Sequence, residues 1–252
     1  MICTLEDTSK AAPLFAGIQD TSVLSCLQKV MGRIYVTDPD APASALAYAG
    51  CFAFCAGAPD RELLLALPEG FSILVPGGKA WETLTEKTFP AAKKITRYAI
   101  RKDTRFDRAL LQSYADALPA GYTLRRIDGA LYEQCLLSPV TEDFVSVFET
   151  KERFLALGRG FVLLKDGAIV SGASSYTAYH GGIEIEVDTV REERRKHLAL
   201  AASAALILSC LDDGLYPSWD AHNTASVALA EKLGYTLSHP YTAYELDHRP
   251  KK

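Results

Sequence analysis

The pattern of hydrophobic and polar positions after residue 119 predicts an α/β core in which strands and helices alternate. Short apolar and β-branched runs indicate strands, whereas apolar residues three and four positions apart indicate helices. The turn Lys165-Asp166-Gly167 lies between two apolar runs and predicts a β-hairpin. The predicted strands are 122–127, 161–164, 169–179, 183–190, 218–220, 235–237 and 241–246, and the predicted helices are 128–137, 142–157, 195–211 and 224–233.

The first half of the chain has the pattern of a smaller, mixed α/β region. Gly77-Gly78-Lys79 is not a phosphate-binding P-loop, because it lacks the upstream glycine and the following Ser or Thr. No internal repeat is visible in the sequence. The predicted elements are a strand at 33–36, a longer apolar strand over 45–55 that ends at Gly57, a helix at 60–67 with Asp60 as N-cap, and a strand at 71–75.

A cluster of seven basic residues separates the two halves, and a helical pattern follows it up to Pro119 and Gly121. We therefore expect an N-terminal α/β domain with a linker helix over 1–118 and a second domain over 119–252. We interpret the cluster as a solvated linker surface. The alternatives are a site that holds a phosphate and a nucleic-acid module, which would bind with a steep salt dependence. The cluster comprises Lys93, Lys94, Arg97, Arg101, Lys102, Arg105 and Arg108.

Composition indicates a compact protein, since 48% of the 252 residues are hydrophobic and 23% are charged. The net charge of −4 gives no overall attraction for nucleic acid or an anionic membrane. The longest apolar run, 198–211, is shorter than the ~20 residues that cross a bilayer, and the N-terminal residues lack a signal-peptide pattern. We expect a cytoplasmic protein with six reduced cysteines. Cys51 and Cys55 have no second pair of ligands, so we expect no metal site.

The segment 187–199 runs from a strand through a sharp loop into a helix whose predicted first turn is basic. A helix N-terminus presents free N–H groups and a partial positive charge, which suit a pyrophosphate. Cations are disfavoured in a first helical turn, so Arg194, Arg195 and Lys196 indicate that an anion binds there. The alternative is that these side chains are merely solvated.

The strand that precedes this loop carries a row of carboxylates. Glu184, Glu186 and Asp188 share one face of it because strand side chains alternate. Close carboxylates raise one another's pKa towards the range of a general base, and they attract a cationic amine. Asp220, beside Trp219, is a second candidate on the neighbouring strand. The alternative is a polar face in solvent.

Two motifs in this region resemble the GNAT N-acetyltransferases. Arg194-x-x-His197-x-Ala199 is similar to the acetyl-CoA-binding signature of that family, and 223–235 is similar to the segment that closes its fold. The stretch 184–244 is especially like the subfamily that includes zwittermicin A resistance acetyltransferases. The resemblance covers roughly 120–248 well, and the N-terminal half matches the extra domain of that subfamily more loosely.

This resemblance implies a C-terminal GNAT fold, a mixed central sheet flanked by helices, with a smaller N-terminal domain that is α/β or a degenerate GNAT-like domain. It implies an N-acetyltransferase that carries the acetyl group of acetyl-CoA to a small-molecule primary amine by direct attack in a ternary complex. A backbone N–H near Val187 would stabilise the oxyanion. The implied cofactor contacts are Val187, Thr189, Arg194, Arg195, Lys196, His197, Leu198, Ala199, Asn223 and Ser226, and the candidate catalytic residues are Glu184, Glu186, Asp220 and Tyr235.

The sequence departs from the family pattern at two positions. His197 stands where the family usually has Gly, and Ala230 stands where many relatives have a tyrosine that protonates the leaving thiolate. Tyr235 or Tyr241 could replace that tyrosine. These departures keep a second function open, namely a non-catalytic protein that binds or senses acyl-CoA. In either case we expect a monomer or homodimer without nucleic-acid or membrane partners.

Overall fold

The computed structural model describes residues 2–247 and divides the chain into two compact units. The first unit comprises Met1–Arg97 and Pro240–Lys252, and the second comprises Tyr98–His239. Among the described residues, no helix has the length and hydropathy to cross a bilayer.

The first unit is a sheet with three short helices. Its strand order is β1-β2-β3-β4-β5, antiparallel up to β4 and parallel between β4 and β5. The strands are β1 (Cys3–Thr4), β2 (Arg33–Val36), β3 (Ser44–Ala49), β4 (Phe52–Gly57), β5 (Phe71–Val75) and β6 (Lys93–Ile100), and the helices are α1 (Thr21–Leu27), α2 (Arg61–Leu65) and α3 (Lys79–Thr88).

The long apolar strand expected at 45–55 is wrong, because this stretch is the hairpin of β3 and β4. Gly50 takes a φ of +60° at the turn, a conformation that glycine adopts without steric cost. Both strands are mostly buried on both faces, so their sequence is continuously apolar and hides the turn. The predicted strands at 33–36 and 71–75 and the Asp60 cap of α2 are confirmed.

The second unit holds a five-stranded sheet in the order β11-β10-β9-β8-β7. Only the β10–β11 pair is parallel. The predicted hairpin turn is confirmed, with Asp166 and Gly167 both at positive φ. Its elements are α4 (Arg108–Asp116), β7 (Tyr122–Arg126), α5 (Gly129–Cys135), α6 (Lys151–Leu157), β8 (Gly160–Lys165), β9 (Ala168–Tyr179), β10 (Gly182–Thr189), α7 (Leu198–Asp212), β11 (Tyr216–Ser218), β12 (Asp220–Ala221) and α8 (Thr224–Lys232). The last strand, β13 (Leu237–Asp247), begins in this unit and belongs from Pro240 onwards to the first.

Two predicted helices of this unit are shorter than expected. The stretch 142–157 consists of two 3-10 turns followed by α6, because Glu149 has a φ of +66° and Thr150 caps a new helix by accepting from the Arg153 N–H. The helix predicted from residue 195 begins at Leu198, after left-handed residues at Arg195 and His197. The spacing of hydrophobic residues indicates which side of a segment is buried. It does not reveal a single residue with positive φ that interrupts a helix.

The boundary expected after residue 118 differs from the division of the structure, which falls at residue 97. The predicted linker helix, α4, packs against α7 inside the second unit and buries Leu111 and Ala115 there. α7 is apolar almost all round, so it must be covered on several sides. α4, which was expected to link the domains, is one of the elements that cover α7.

The two units share one topology, although no repeat is visible in the sequence. β1 to β5 and β7 to β11 follow the same pattern: antiparallel neighbours, then a helix, then a parallel strand. The last strands are exchanged between the repeats. β13 pairs with β5 in the first unit, and the end of β6 pairs with β12 in the second. The first unit thus repeats the strand order of the second, and a GNAT-like N-terminal domain stays a prediction.

Candidate functional site

The two parallel strands of the second unit separate after three paired residues. β10 and β11 pair from Gly182↔Tyr216 to Glu184↔Ser218, and the chain then turns through Trp219 into β12, which pairs with β6. β10 continues to Thr189. Among residues 2–247, no strand pairs with this edge of β10 beyond Glu184. The backbone groups of this edge are therefore available to an extended ligand.

The N-terminus of α7 lies at the end of the loop that follows β10. His197 is the N-cap residue, with a φ of +61°, and its side chain makes no capping hydrogen bond. The first N–H groups of a helix have no partner within the helix, and they carry a partial positive charge. His is one of the non-glycine residues that tolerate the left-handed region. His197 thus keeps the backbone conformation that a glycine would supply here.

The basic residues of this loop hold its shape through ion pairs and hydrogen bonds. Arg194 Nε donates to the Thr189 carbonyl at 3.0 Å, and its Nη2 lies 3.5 Å from Asp188 Oδ1. Lys196 Nζ lies 2.7 Å from Glu193 Oε2. Because the helix begins at Leu198, these side chains belong to the loop and not to a first helical turn.

Glu193 is the centre of a small cluster at the start of this loop. Its carboxylate accepts hydrogen bonds from Lys165 Nζ at 2.8 Å, from Lys196 Nζ and from the Tyr122 hydroxyl. These bonds, that of Lys165 first, lower the pKa of Glu193 from 4.5 to about 2. Much of the charge of Lys196 is therefore compensated before any ligand arrives. Arg195 and His197 have exposed side chains beside the α7 N-terminus.

The predicted carboxylate row is uneven. Glu184 is buried, and its Oε2 lies 3.6 Å from Lys102 Nζ. Glu186 and Asp220 are half-buried. Asp188 is more exposed, and its carboxylate accepts the Thr189 N–H at 2.6 Å. The row is therefore neither a solvent face nor a uniform pocket wall.

Tyr235 lies in the core of the second unit, behind the strand separation. Its hydroxyl donates to the Pro217 carbonyl at 2.5 Å, and its ring packs against Trp219 and Phe106. Burial raises its pKa well above the usual value. This geometry contradicts its expected role as the proton donor, since the proton is committed to a buried carbonyl. Tyr241 belongs to the first unit.

Three of the predicted cofactor contacts have side chains that are bonded within the second unit. Asn223 Oδ1 accepts the Ser226 N–H at 2.9 Å and so caps α8. Ser226 Oγ accepts from Trp219 Nε1 at 3.1 Å. Thr189 Oγ1 is buried against Ser171 Oγ at 2.7 Å, and the Thr189 N–H and carbonyl are bonded to Asp188 Oδ1 and Arg194 Nε. A backbone contact at half-buried Val187 stays a prediction.

Sequence reasoning missed Lys102. Its residue stood within the basic cluster 93–108, which we interpreted as linker surface. The structure instead places Lys93 and Lys94 on β6 with carboxylate partners, buries Arg97, and brings Lys102 to Glu184. No local pattern marks Lys102, because its partner is 82 positions further along the chain.

All six cysteines are free, and four of them, Cys26, Cys55, Cys135 and Cys210, are buried. Within residues 2–247, no group of three or more His, Cys, Asp or Glu side chains is arranged to hold a metal ion.

Comparison with known proteins identifies the class. Residues 12–244 match the model of the GNAT acetyltransferase family, and the chain belongs to this family. The match extends through the N-terminal half, beyond the 120–248 that the motifs covered. It is a match to the family as a whole, and the zwittermicin A resistance subfamily stays a prediction.

Individual relatives agree with this assignment. The chain is 47% identical to a GCN5-related N-acetyltransferase-like protein from Streptococcus suis, whose crystal structure superposes with a TM-score of 0.92 over 95% of this chain and 98% of that one. It is 32% identical over 131 residues to the uncharacterised N-acetyltransferase YdfB of Bacillus subtilis. That match covers 50% of this chain and 49% of YdfB, so the chain spans about half the length of this curated relative.

A more distant structure has the same fold. The tandem GNAT protein of the clavulanic acid biosynthesis pathway is 13% identical, with a TM-score of 0.58 over 100% of this chain and 99% of that one. The mixed α/β GNAT fold expected from the sequence is confirmed, with two mixed sheets flanked by helices.

Proposed function

We propose that the second unit transfers an acetyl group from acetyl-CoA to a primary amine of a small molecule. The observation that carries this proposal is the separation of β10 from β11 beside an α7 N-terminus whose cap residue makes no side-chain bond. An edge with available N–H and C=O groups can pair with an amide-bearing arm as with an added strand. The α7 N-terminus suits a pyrophosphate.

The residues of this region fit acetyl-CoA. The N–H groups of 195–199 would hold the pyrophosphate, with the exposed Arg195 side chain beside them. Arg194 and Lys196 keep the loop in place through Thr189 and Glu193. When bound, acetyl-CoA supplies an acetyl thioester, whose C–S bond breaks as the C–N bond to the amine forms. The N–H of Val187 is the proposed oxyanion donor.

The carboxylates near the strand separation supply the base and the attraction for the acceptor. Glu184, Glu186 and Asp220 are the candidates to take the proton that the amine loses. Asp143 interacts with Asp188, which lies near the end of β10. Burial is the main cause of a raised pKa at Asp143, and the negative charges of Glu142 and Asp188 raise it further. A locally negative surface favours a cationic amine. A thiol with a pKa of about 8.5 leaves without the missing tyrosine.

The competing proposal is a non-catalytic protein that binds or senses acyl-CoA. It is favoured by Ala230, which is buried where many relatives have the tyrosine acid, and by the committed hydroxyl of Tyr235. Both proposals share the cofactor site and differ only in turnover. As further proposals we keep a cytoplasmic location, a monomer or homodimer, and no nucleic-acid or membrane partner.

Calorimetry and thiol release separate the two proposals. The protein is titrated with coenzyme A and acetyl-CoA, and thiol release from acetyl-CoA is followed with a panel of amino sugars, polyamines and amino-acid amides. We expect binding and amine-dependent release. Binding without release on any amine favours the sensing protein, whereas absence of binding contradicts both proposals.

Three variants then test the base. We expect at least one of Glu184→Gln, Glu186→Gln and Asp220→Asn to lower the turnover about 100-fold. Glu231→Gln, on the exposed side of α8, is the matched control and keeps full turnover. Full turnover in all three site variants would show that the carboxylate assignment is wrong.

A further inference from the structure

The loop after β6 is anchored on both sides of Lys102. The Tyr216 hydroxyl donates to the Arg101 carbonyl at 3.3 Å and accepts the Thr104 N–H at 3.2 Å. The Phe106 ring packs edge-on against Tyr235, with a centroid distance of 5.0 Å. The backbone at residue 102 is therefore held in place by β11 and by the core of the second unit.

Lys102 bridges the two strands where they separate. Its Nζ donates to the Trp219 carbonyl at 3.0 Å and lies 3.6 Å from Glu184 Oε2. Glu184 and Ser218 form the last β10–β11 pair, and Trp219 is the first residue beyond it. The Glu184 side chain is only 8% exposed and that of Lys102 22%, so water screens this pair weakly.

Burial and neighbouring charges decide the charge state of Glu184. Burial by itself favours a neutral carboxylic acid, and a neighbouring ammonium favours the carboxylate. The phenols of Tyr179, on β9, and Tyr235 also interact with Glu184, but burial raises the pKa of both, so they stay neutral while a carboxylate titrates. On its own strand, the nearest acidic residue is Glu186, whose negative charge opposes ionisation. Lys102 is a neighbour of opposite charge, 3.6 Å away.

We propose that Lys102 is a positioning residue for the transfer: its ammonium keeps Glu184 ionised and fixed where β10 and β11 separate, so that Glu184 can take the proton of the amine. The inference rests on the proposed function and selects Glu184 among the three candidate bases. The proton moves from the amine nitrogen to a carboxylate oxygen of Glu184. Lys102 acts through its charge and keeps its own protons.

The decisive test is a carbon-13 NMR titration of the glutamate carboxyl groups in the protein without cofactor. The resonance that disappears in Glu184→Gln belongs to Glu184. We expect Lys102→Met to raise the midpoint of that resonance by about one pH unit or more, because the ammonium is lost. Lys102→Arg should keep the midpoint close to that of the wild type. Lys232→Met, which removes an exposed charge on α8, is the control and should not move it.

The activity readout uses any amine that the panel identifies. The acid limb of kcat/KM should move to higher pH in Lys102→Met by the same amount as the NMR midpoint, and Lys102→Arg should restore it. An unchanged midpoint in Lys102→Met overturns the inference, and so does a changed midpoint without a matching move of the limb. If the wild type transfers acetyl groups to no amine while the midpoint still shifts, the proposed function fails and the effect of Lys102 on Glu184 stands.

Discussion

The two units of the chain have the same strand order and differ where their parallel strands end. In the first unit, β4 and β5 pair up to Phe54↔Val75, and two residues later Gly77 still lies against β4: a Cβ on it would be 2.3 Å from the Cys55 carbonyl oxygen. In the second unit, the equivalent residue two positions past the last pair is Asp220, and it pairs with β6. β4 and β5 therefore stay together beyond their last pair, whereas β10 and β11 separate.

The helix that connects the two parallel strands, α2 in the first unit and α7 in the second, also differs at its N-terminus. α2 is capped by Asp60, whose carboxylate accepts the Glu62 N–H at 2.8 Å. The cap residue of α7, His197, makes no side-chain bond. A carboxylate at a helix N-terminus satisfies the N–H groups and repels a phosphate. We therefore propose that this topology provides a cofactor site only in the unit where the strands separate and the helix start is left uncapped. We therefore expect one coenzyme A per chain.

The largest expected effect follows removal of the Trp81 side chain from the first unit. Trp81 is 1% exposed, and its Nε1 donates to the carbonyl of Gly57, the last residue of β4. Trp81→Ala should lower the free energy of unfolding by about 3–5 kcal/mol, since it leaves a large cavity and an unsatisfied carbonyl. Urea unfolding followed by circular dichroism measures this loss.

Trp81→Phe is the matched control, because it loses the hydrogen bond and keeps most of the volume. Its loss should be clearly smaller than that of Trp81→Ala. Equal losses would assign the effect to the hydrogen bond and not to packing. Both variants should still bind one coenzyme A per chain. Binding of two would contradict the expectation that the N-terminus of α2 holds no anion.

The next largest effect is expected on the affinity for coenzyme A at the N-terminus of α7. His197→Asp places a carboxylate at the start of α7, as Asp60 does at α2. Coenzyme A should bind about tenfold more weakly, because two negative groups then compete for the same N–H groups. Calorimetry compares this variant with His197→Asn, which is neutral and also tolerates positive φ. Equal affinities for the two variants would show that the pyrophosphate does not lie at this N-terminus.

A smaller effect is expected from the cap of α2. Asp60→Ala should cost about 1 kcal/mol of stability, whereas Asp60→Asn can still cap and should cost less. Both variants should keep the coenzyme A stoichiometry at one, since the first unit also lacks the strand separation. Thermal unfolding and calorimetry check the two parts. A gain of a second binding event in Asp60→Ala would mean that the cap alone had closed the first unit.

A pH-dependent effect on stability is expected at the Glu193 cluster. The pKa of this carboxyl falls from 4.5 to about 2 in the folded protein, so its contribution to stability is complete above pH 4.5 and is lost as the pH falls towards 2. Glu193→Gln should therefore reduce the stability at pH 6 and flatten the decrease between pH 4.5 and 2, as measured by melting temperature.

The neighbour Glu192, which is exposed, provides the control variant Glu192→Gln. Its melting temperature should follow that of the wild type across this pH range. If Glu193→Gln also follows the wild type, the three hydrogen bonds at Glu193 do not stabilise the folded loop.

Local chemistry made part of the molecule predictable. The hairpin at Asp166-Gly167 and the Asp60 cap were predicted because the residues that cause them are adjacent in sequence. The break at Glu149 and the late start of α7 were missed, since hydrophobic spacing is insensitive to one residue of positive φ. Tyr235 was misassigned because its sequence context does not reveal that the core binds its hydroxyl.

By itself, the sequence determined the family and the strand–loop–helix segment of the second unit, since both depend on residues close together in the chain. The tertiary structure alone decided three things: the repeated topology with exchanged last strands, the closure of one strand pair and the opening of the other, and the pairing of Lys102 with Glu184. The physical reason is that hydrogen-bond register and ion pairing join residues far apart in sequence, and no local pattern encodes which of them meet.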